Sequence, residues 1–135
     1  MDRMIFEWKA RVYFEDTDSG GVVYHVNYLK FMERARTEWL RSLDINQLKL
    51  KKEEKVMFVV RKIDIQYRIP ARFNDELLIQ TNCFKITDYS IMLKQNILRD
   101  EQIITEGKVE IVCINSDLFK PLRIPRRAKQ LMEII

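Results

Sequence analysis

Apolar and polar positions alternate through residues 5 to 14. Phe6, Trp8, Ala10, Val12 and Phe14 fall on one side, with Glu7, Lys9, Arg11 and Glu15 on the other. A period of two predicts a strand with one buried face. The turn formers Asp16-Thr17-Asp18-Ser19-Gly20-Gly21 follow, and then the period changes. Tyr28, Phe31, Met32, Ala35, Trp39 and Leu43 recur at three- and four-residue steps, which predicts a helix over 26–43. Lys30, Glu33, Arg34, Thr37, Glu38 and Arg41 occupy its opposite side. Arg36 falls inside the apolar arc, so once buried it needs a carboxylate or carbonyl partner.

Residues 49–55 read as a polar connection rich in Lys and Glu. Four β-rich runs come next, over 56–69, 77–87, 90–98 and 103–115. In the first of them Ile63, Ile65 and Tyr67 alternate with polar residues, and Pro70 ends it because proline has no ladder donor. Asn74-Asp75, Asp88-Tyr89 and Asp100-Glu101 punctuate the rest, and such close spacing predicts antiparallel hairpins. Pro121 and Pro125 break the pattern before a short final helix over 126–134. One strand, one long helix and four more strands exclude a doubly wound α/β architecture. They predict an α+β fold, an antiparallel sheet laid against a single helix. An open sheet leaves edges to manage, which favours oligomerisation.

A chain of 135 residues with 47% apolar and 33% charged residues is expected to be one globular domain, 1–135, able to build a core without disulfide staples. Cys83 and Cys113 form no CxxC pair and there is one histidine, His25, so no zinc-finger spacing exists. Both thiols read as small buried core residues rather than nucleophiles. The N-terminus carries no signal pattern, and no run approaches the ~18 apolar residues of a membrane helix. The expectation is a cytoplasmic protein with no membrane span. The net charge of +4 is mild. Basic residues gather at Lys49, Lys51, Lys52 and Lys55, and again at Lys120, Arg123, Arg126, Arg127 and Lys129. They lack the interleaved aromatics of a nucleic-acid surface, and no nucleic-acid partner is expected.

Chemistry concentrates in Glu15-Asp16-Thr17-Asp18-Ser19-Gly20-Gly21-Val22-Val23-Tyr24-His25, and spacing admits three readings. A calcium loop would need an oxygen where Gly20 stands and a bidentate glutamate where Asn27 stands. A purely structural loop would use the aspartates and glycines to turn and cap a helix. A catalytic loop would hold a carbonyl against the unpaired N–H groups and partial positive charge of the helix start, with a carboxylate across from it. Spacing alone does not separate the last two.

The stretches from Arg11 to His25 and from Tyr28 to Leu40, together with Phe58-Val-Val-Arg-Lys62 and Tyr67-Arg-Ile-Pro-Ala-Arg-Phe-Asn-Asp-Glu-Leu77, strongly resemble the YbgC-type branch of the 4-hydroxybenzoyl-CoA thioesterase family. The resemblance spans about residues 5 to 125. It implies a hotdog fold, a sheet wrapped around a central helix, and acyl-CoA thioester hydrolysis without metal or cofactor. The family's catalytic aspartate matches Asp18, and the histidine that closes its motif matches His25. The carbonyl-polarising backbone N–H falls at Tyr24 and His25, beside Gly21 and Val22. The pantetheine arm would run near Phe58, Val59, Val60 and Arg61. Family members pair edge to edge as dimers, often as dimers of dimers, with the site between subunits. An association with the Tol–Pal system and lipid synthesis adds an acyl carrier protein or a Tol–Pal-associated protein as partner. Two other functions fit such a scaffold: a dehydratase or hydratase using His25 as base, and a non-catalytic carrier-binding protein.

Overall fold

The computed structural model describes residues 4–133. The signal-free reading of Met1 to Arg3 and the last residue of the predicted final helix, position 134, lie outside them. The elements run β1 (Phe6–Arg11), α1 (His25–Ser42), α2 (Gln47–Glu54), β2 (Val56–Tyr67), β3 (Glu76–Ile86), β4 (Ser90–Arg99), β5 (Gln102–Asn115) and α3 (Arg126–Glu133). The strands form one antiparallel sheet in the order β1-β3-β4-β5-β2, so β1 and β2 are its edges. Asp100 and Glu101 both take positive φ between Arg99 and Gln102. That is the geometry a two-residue hairpin turn requires.

One face of the sheet carries the core. Leu77, Ile79 and Cys83 of β3, Ile91, Leu93 and Ile97 of β4, and Val109, Ile111 and Cys113 of β5 are buried against Phe31, Met32, Ala35 and Trp39 of α1. The helix packs against β1 and β3 and comes close to β5 at Gly107. A Cβ there would stand 2.5 Å from Met32 Cε, so a side chain at this position would push the end of Met32 aside. Arg36 finds a carbonyl partner, as its position in the arc demanded: Nη1 donates to the side-chain oxygen of Gln95 at 3.0 Å.

Three expectations change. The alternation predicts Phe14 on the inner face of a strand reaching position 14. Instead β1 ends at Arg11, Phe14–Asp16 turn as a short 3-10 segment, and Phe14 is 72% exposed and stacked on Phe73 at 3.7 Å. The cause is Asp16, whose carboxylate accepts the Tyr13 N–H at 2.8 Å and bends the chain. The connection 49–55 is mostly helix, with Asn46 capping Lys49 N–H at 3.0 Å. It has no apolar stripe to read, and Leu48 is 82% exposed. Cap and propensity make it a helix. Finally, β2 changes parity. Val60 faces Ile111 while Lys62 faces Glu110, so Arg61 is the extra residue of a bulge. The bulge keeps Phe58, Val60, Ile63, Ile65 and Tyr67 on the inner face.

Candidate active site at the start of α1

The loop between β1 and α1 is built around two aspartates with different surroundings. Asp16 is 6% exposed. Its carboxylate accepts the Tyr13 N–H at 2.8 Å and the Asn27 amide at 2.9 Å, and its carbonyl accepts the Tyr24 N–H at 2.9 Å. It braces the loop to the first turn of the helix. Asp18 is exposed. Its N–H donates to Val22 O at 2.9 Å, its carbonyl accepts Gly21 N–H at 3.0 Å, and Oδ1 accepts Gly20 N–H at 2.8 Å. Oδ2 has no hydrogen-bond partner among the described residues. Gly21 sits at φ +80°, the left-handed conformation in which a side chain is strained.

A second segment holds the loop from behind. Val23 N–H donates to Ala71 O at 2.8 Å, and Ala71 N–H donates to the Tyr28 hydroxyl at 2.9 Å. Burial pushes the Tyr28 phenol up. The Ala71 N–H and the Arg99 charge partly offset that, and the carboxylates of Asp75 and Asp18 add to it.

At the helix start, Tyr24 N–H is taken by Asp16 O and Asn27 N–H by Tyr24 O. The N–H groups of His25 and Val26 have no acceptor among the described residues, as the first turn of a helix leaves them. Around them stands an aromatic wall. The His25 ring lies 4.6 Å from Tyr24 and 6.3 Å, edge-on, from Tyr67. Tyr67 lies 5.3 Å from Tyr28. The Tyr67 hydroxyl donates to His25 O at 3.1 Å. Burial and the neighbouring Tyr28 push its phenol up, so it stays a donor.

From Val26 a groove of about 470 Å³ runs between α1 and the inner face of β2 and β5. Phe58, Val59 and Val60 line it. Arg61 does not: its Nε pairs with Glu110 at 2.7 Å, on the sheet face turned away from α1. The structure thus gathers Asp18, Gly21, Val22, Tyr24 and His25 around the helix start and puts Phe58, Val59 and Val60 along the groove. It commits Tyr24 N–H to Asp16 and leads Arg61 elsewhere. Asp16 as a brace, Asn27 as its partner and Tyr67 as the clamp on His25 carry no local signal in the sequence. The alternation that ends in Tyr67 was visible, but not which helix end it meets.

An exposed carboxylate in the loop, N–H groups left without acceptors at the helix start and a groove that begins at Val26 are the parts an acyl-transfer site would use. The chain belongs to the thioesterase-like superfamily, which matches residues 12–132. Within it the chain groups with the YbgC thioesterases that its loop resembles. It is 43% identical over 127 residues to the acyl-CoA thioester hydrolase YbgC of Escherichia coli O157:H7, covering 93% of this chain and 94% of the relative. It is 38% identical over 124 residues to the acyl-CoA thioesterase YbgC of Haemophilus influenzae, covering 92% and 91%. The crystal structure of a probable thioesterase from Bartonella henselae superposes with a TM-score of 0.86 at 39% identity, covering 90% of this chain and all of that one. The fold is the hotdog fold. Among the described residues no helix is long and apolar enough to cross a membrane.

Proposed function

We propose that this thioesterase hydrolyses acyl-CoA thioesters at the N-terminus of α1. The observation that carries the reading is the pair of unpaired N–H groups on His25 and Val26, beside the exposed carboxylate of Asp18. The thioester oxygen accepts from those N–H groups, which hold the negative charge that develops on it; such donors are typically worth about 3 kcal/mol each in the transition state. Asp18 supplies the attacking side in one of two ways. As general base it takes a proton from water, whose oxygen bonds to the carbonyl carbon. As nucleophile its own oxygen does so, and water then cleaves the anhydride. In either case the C–S bond breaks, the free acid forms and CoA leaves as a thiolate that takes up a proton. The His25 imidazole, held between a tilted Tyr24 ring and an edge-on Tyr67 ring, orients the thioester and assists departure of the thiolate. A single turnover in ¹⁸O-water separates the routes: label enters Asp18 or the first product differently in each.

A second copy completes the groove in this reading. β2 is an edge strand of 12 residues, and Val60 at its centre is 43% exposed. Pairing β2 with β2 of another subunit extends the sheet and walls the groove, giving a dimer or a dimer of dimers. The reaction is assigned to the cytoplasm, where both buried thiols stay reduced. Thiol release across short-, medium- and long-chain and aromatic acyl-CoAs, with Asp18→Asn alongside, tests the activity. A folded wild-type protein that releases no thiol from any of them refutes it.

A further inference from the structure

The groove beside α1 is not uniformly apolar. Phe58, Val60 and Ile63 make one wall, but α1 contributes Lys30, Glu33 and Arg36 to the other. Arg36 is the odd member. It is 8% exposed, yet it carries a full charge. Of a guanidinium's five N–H donors, one is placed, on Gln95 Oε1 at 3.0 Å. The orientation of that amide is determined, because Gln95 Nε2 gives its hydrogens to Met32 O at 3.0 Å and Thr81 Oγ1 at 2.9 Å. The partner of Arg36 is therefore a neutral oxygen. Among the described residues no carboxylate forms a salt bridge with Arg36. Its nearest negative neighbour in the helix is Glu33, one turn earlier and exposed to solvent.

A buried cation without a counter-charge is costly, and buried charges are normally paired. Arg36 lines the groove, whose volume of about 470 Å³ is large enough to hold a chain, and no other protein acceptor among the described residues takes its remaining donors. Arg36 follows His25 by eleven positions, about 16 Å along a helix axis, and side chains lean back toward the helix start. The guanidinium thus stands one medium-length acyl chain away from the N–H groups that would hold the thioester.

We propose that the acyl chain, rather than the pantetheine arm that the resemblance would place along Phe58 to Val60, occupies this groove, that the groove selects acyl-CoA thioesters whose acyl chain ends in a carboxylate, and that Arg36 pairs with that carboxylate. The inference rests on the reading of the α1 N-terminus as the site of thioester hydrolysis. An arginine fork and a carboxylate match in shape as well as charge, while the exposed Lys30 and Glu33 on the same wall offset one another and leave Arg36 as the charge that decides.

The test compares chain-matched substrates, suberoyl-CoA against octanoyl-CoA and adipoyl-CoA against hexanoyl-CoA, on the wild-type protein. Suberoyl-CoA is expected to show the higher kcat/KM by at least about tenfold, the size of a hydrogen-bonded charge pair made or lost. Arg36→Met keeps the bulk and removes the charge, and it should bring that ratio to about one or below. Arg36→Lys keeps charge without the fork and should retain part of the preference. Thermal melts identify a variant that fails to fold, and the wild-type ratio decides the matter in that case. Octanoyl-CoA turned over as well as or better than suberoyl-CoA overturns the proposal alone. Absence of turnover on every substrate overturns both it and the hydrolase reading beneath it.

Discussion

The hydroxyl of Tyr67, at the end of β2, donates to the carbonyl of His25, the first residue of α1, at 3.1 Å. The two residues are 42 positions apart. The bond ties the edge strand that lines the groove to the helix start that presents the unpaired N–H groups. Tyr67→Phe keeps the ring contacts with His25 and Tyr28 and removes only this tie. We expect stability to fall by about 1 kcal/mol or less, while kcat falls by about tenfold because the first turn is less well placed. Steady-state kinetics with a urea melt checks both, and an unchanged kcat would show that the bond positions nothing.

The two loop aspartates should respond in opposite ways. Asp16→Ala strands the Tyr13 N–H in a half-buried setting and the Asn27 amide in a buried one, at about 2–4 kcal/mol together. Asp18→Asn touches an exposed side chain, so its melt should match wild type while turnover drops about a hundredfold or more. Wild-type turnover in folded Asp18→Asn removes Asp18 from the chemistry. A wild-type melt for Asp16→Ala removes the brace.

Asp75 should dominate part of the acid limb of stability. Burial pushes its carboxyl up, but the Arg72 N–H at 2.9 Å, the Arg99 guanidinium at 2.8 Å and the charges of Arg99 and Arg72 outweigh this and hold it below the usual carboxylate range. A carboxyl depressed in the folded state stabilises fully above its unfolded pKa and loses that contribution as pH falls through the folded value. Urea midpoints measured from neutral to acid pH should fall less steeply for Asp75→Asn than for wild type. Parallel curves would mean that Asp75 carries no such linkage.

Cys113 should be inert. Burial pushes its thiol up to about 11, so near pH 8 roughly one part in a thousand is thiolate. Iodoacetamide should label it in urea and not in the native protein, as read by mass spectrometry. Native labelling that abolishes thiol release would instead point to a cysteine nucleophile.

How much was legible before folding depends on whether a signal was local. The change of period at the Asp16–Gly21 loop marked the start of α1 to within one residue, because an apolar stripe records which side of a helix is buried. Arg36 inside that stripe already demanded a polar partner. α2 left no such trace: its Leu48 faces solvent, and an unburied helix has no stripe. The bulge at Arg61 was equally silent, since a one-residue insertion shows only when β2 is set against β5. It also decides that Val60 enters the groove while Arg61 turns to Glu110.

By itself the sequence determined the α+β class, the single long helix, the candidate loop with Asp18 and His25, and the resemblance that led to the thioesterase family. Each rests on periodicity or on a contiguous motif, which short-range chemistry writes directly into neighbouring residues. Only the tertiary structure decided that Asp16 is the buried brace and Asp18 the exposed carboxylate, that Tyr24 N–H is spent while those of His25 and Val26 are unpaired, and that Tyr67 and Gln95 reach His25 and Arg36. The last two depend on hydrogen bonds across 42 and 59 positions, and the Asp16 bonds, though shorter in span, form only when the loop folds back on the first turn of α1. Which partner a buried donor or acceptor obtains is settled by how strands and helix pack together, not by the residues beside it in the chain.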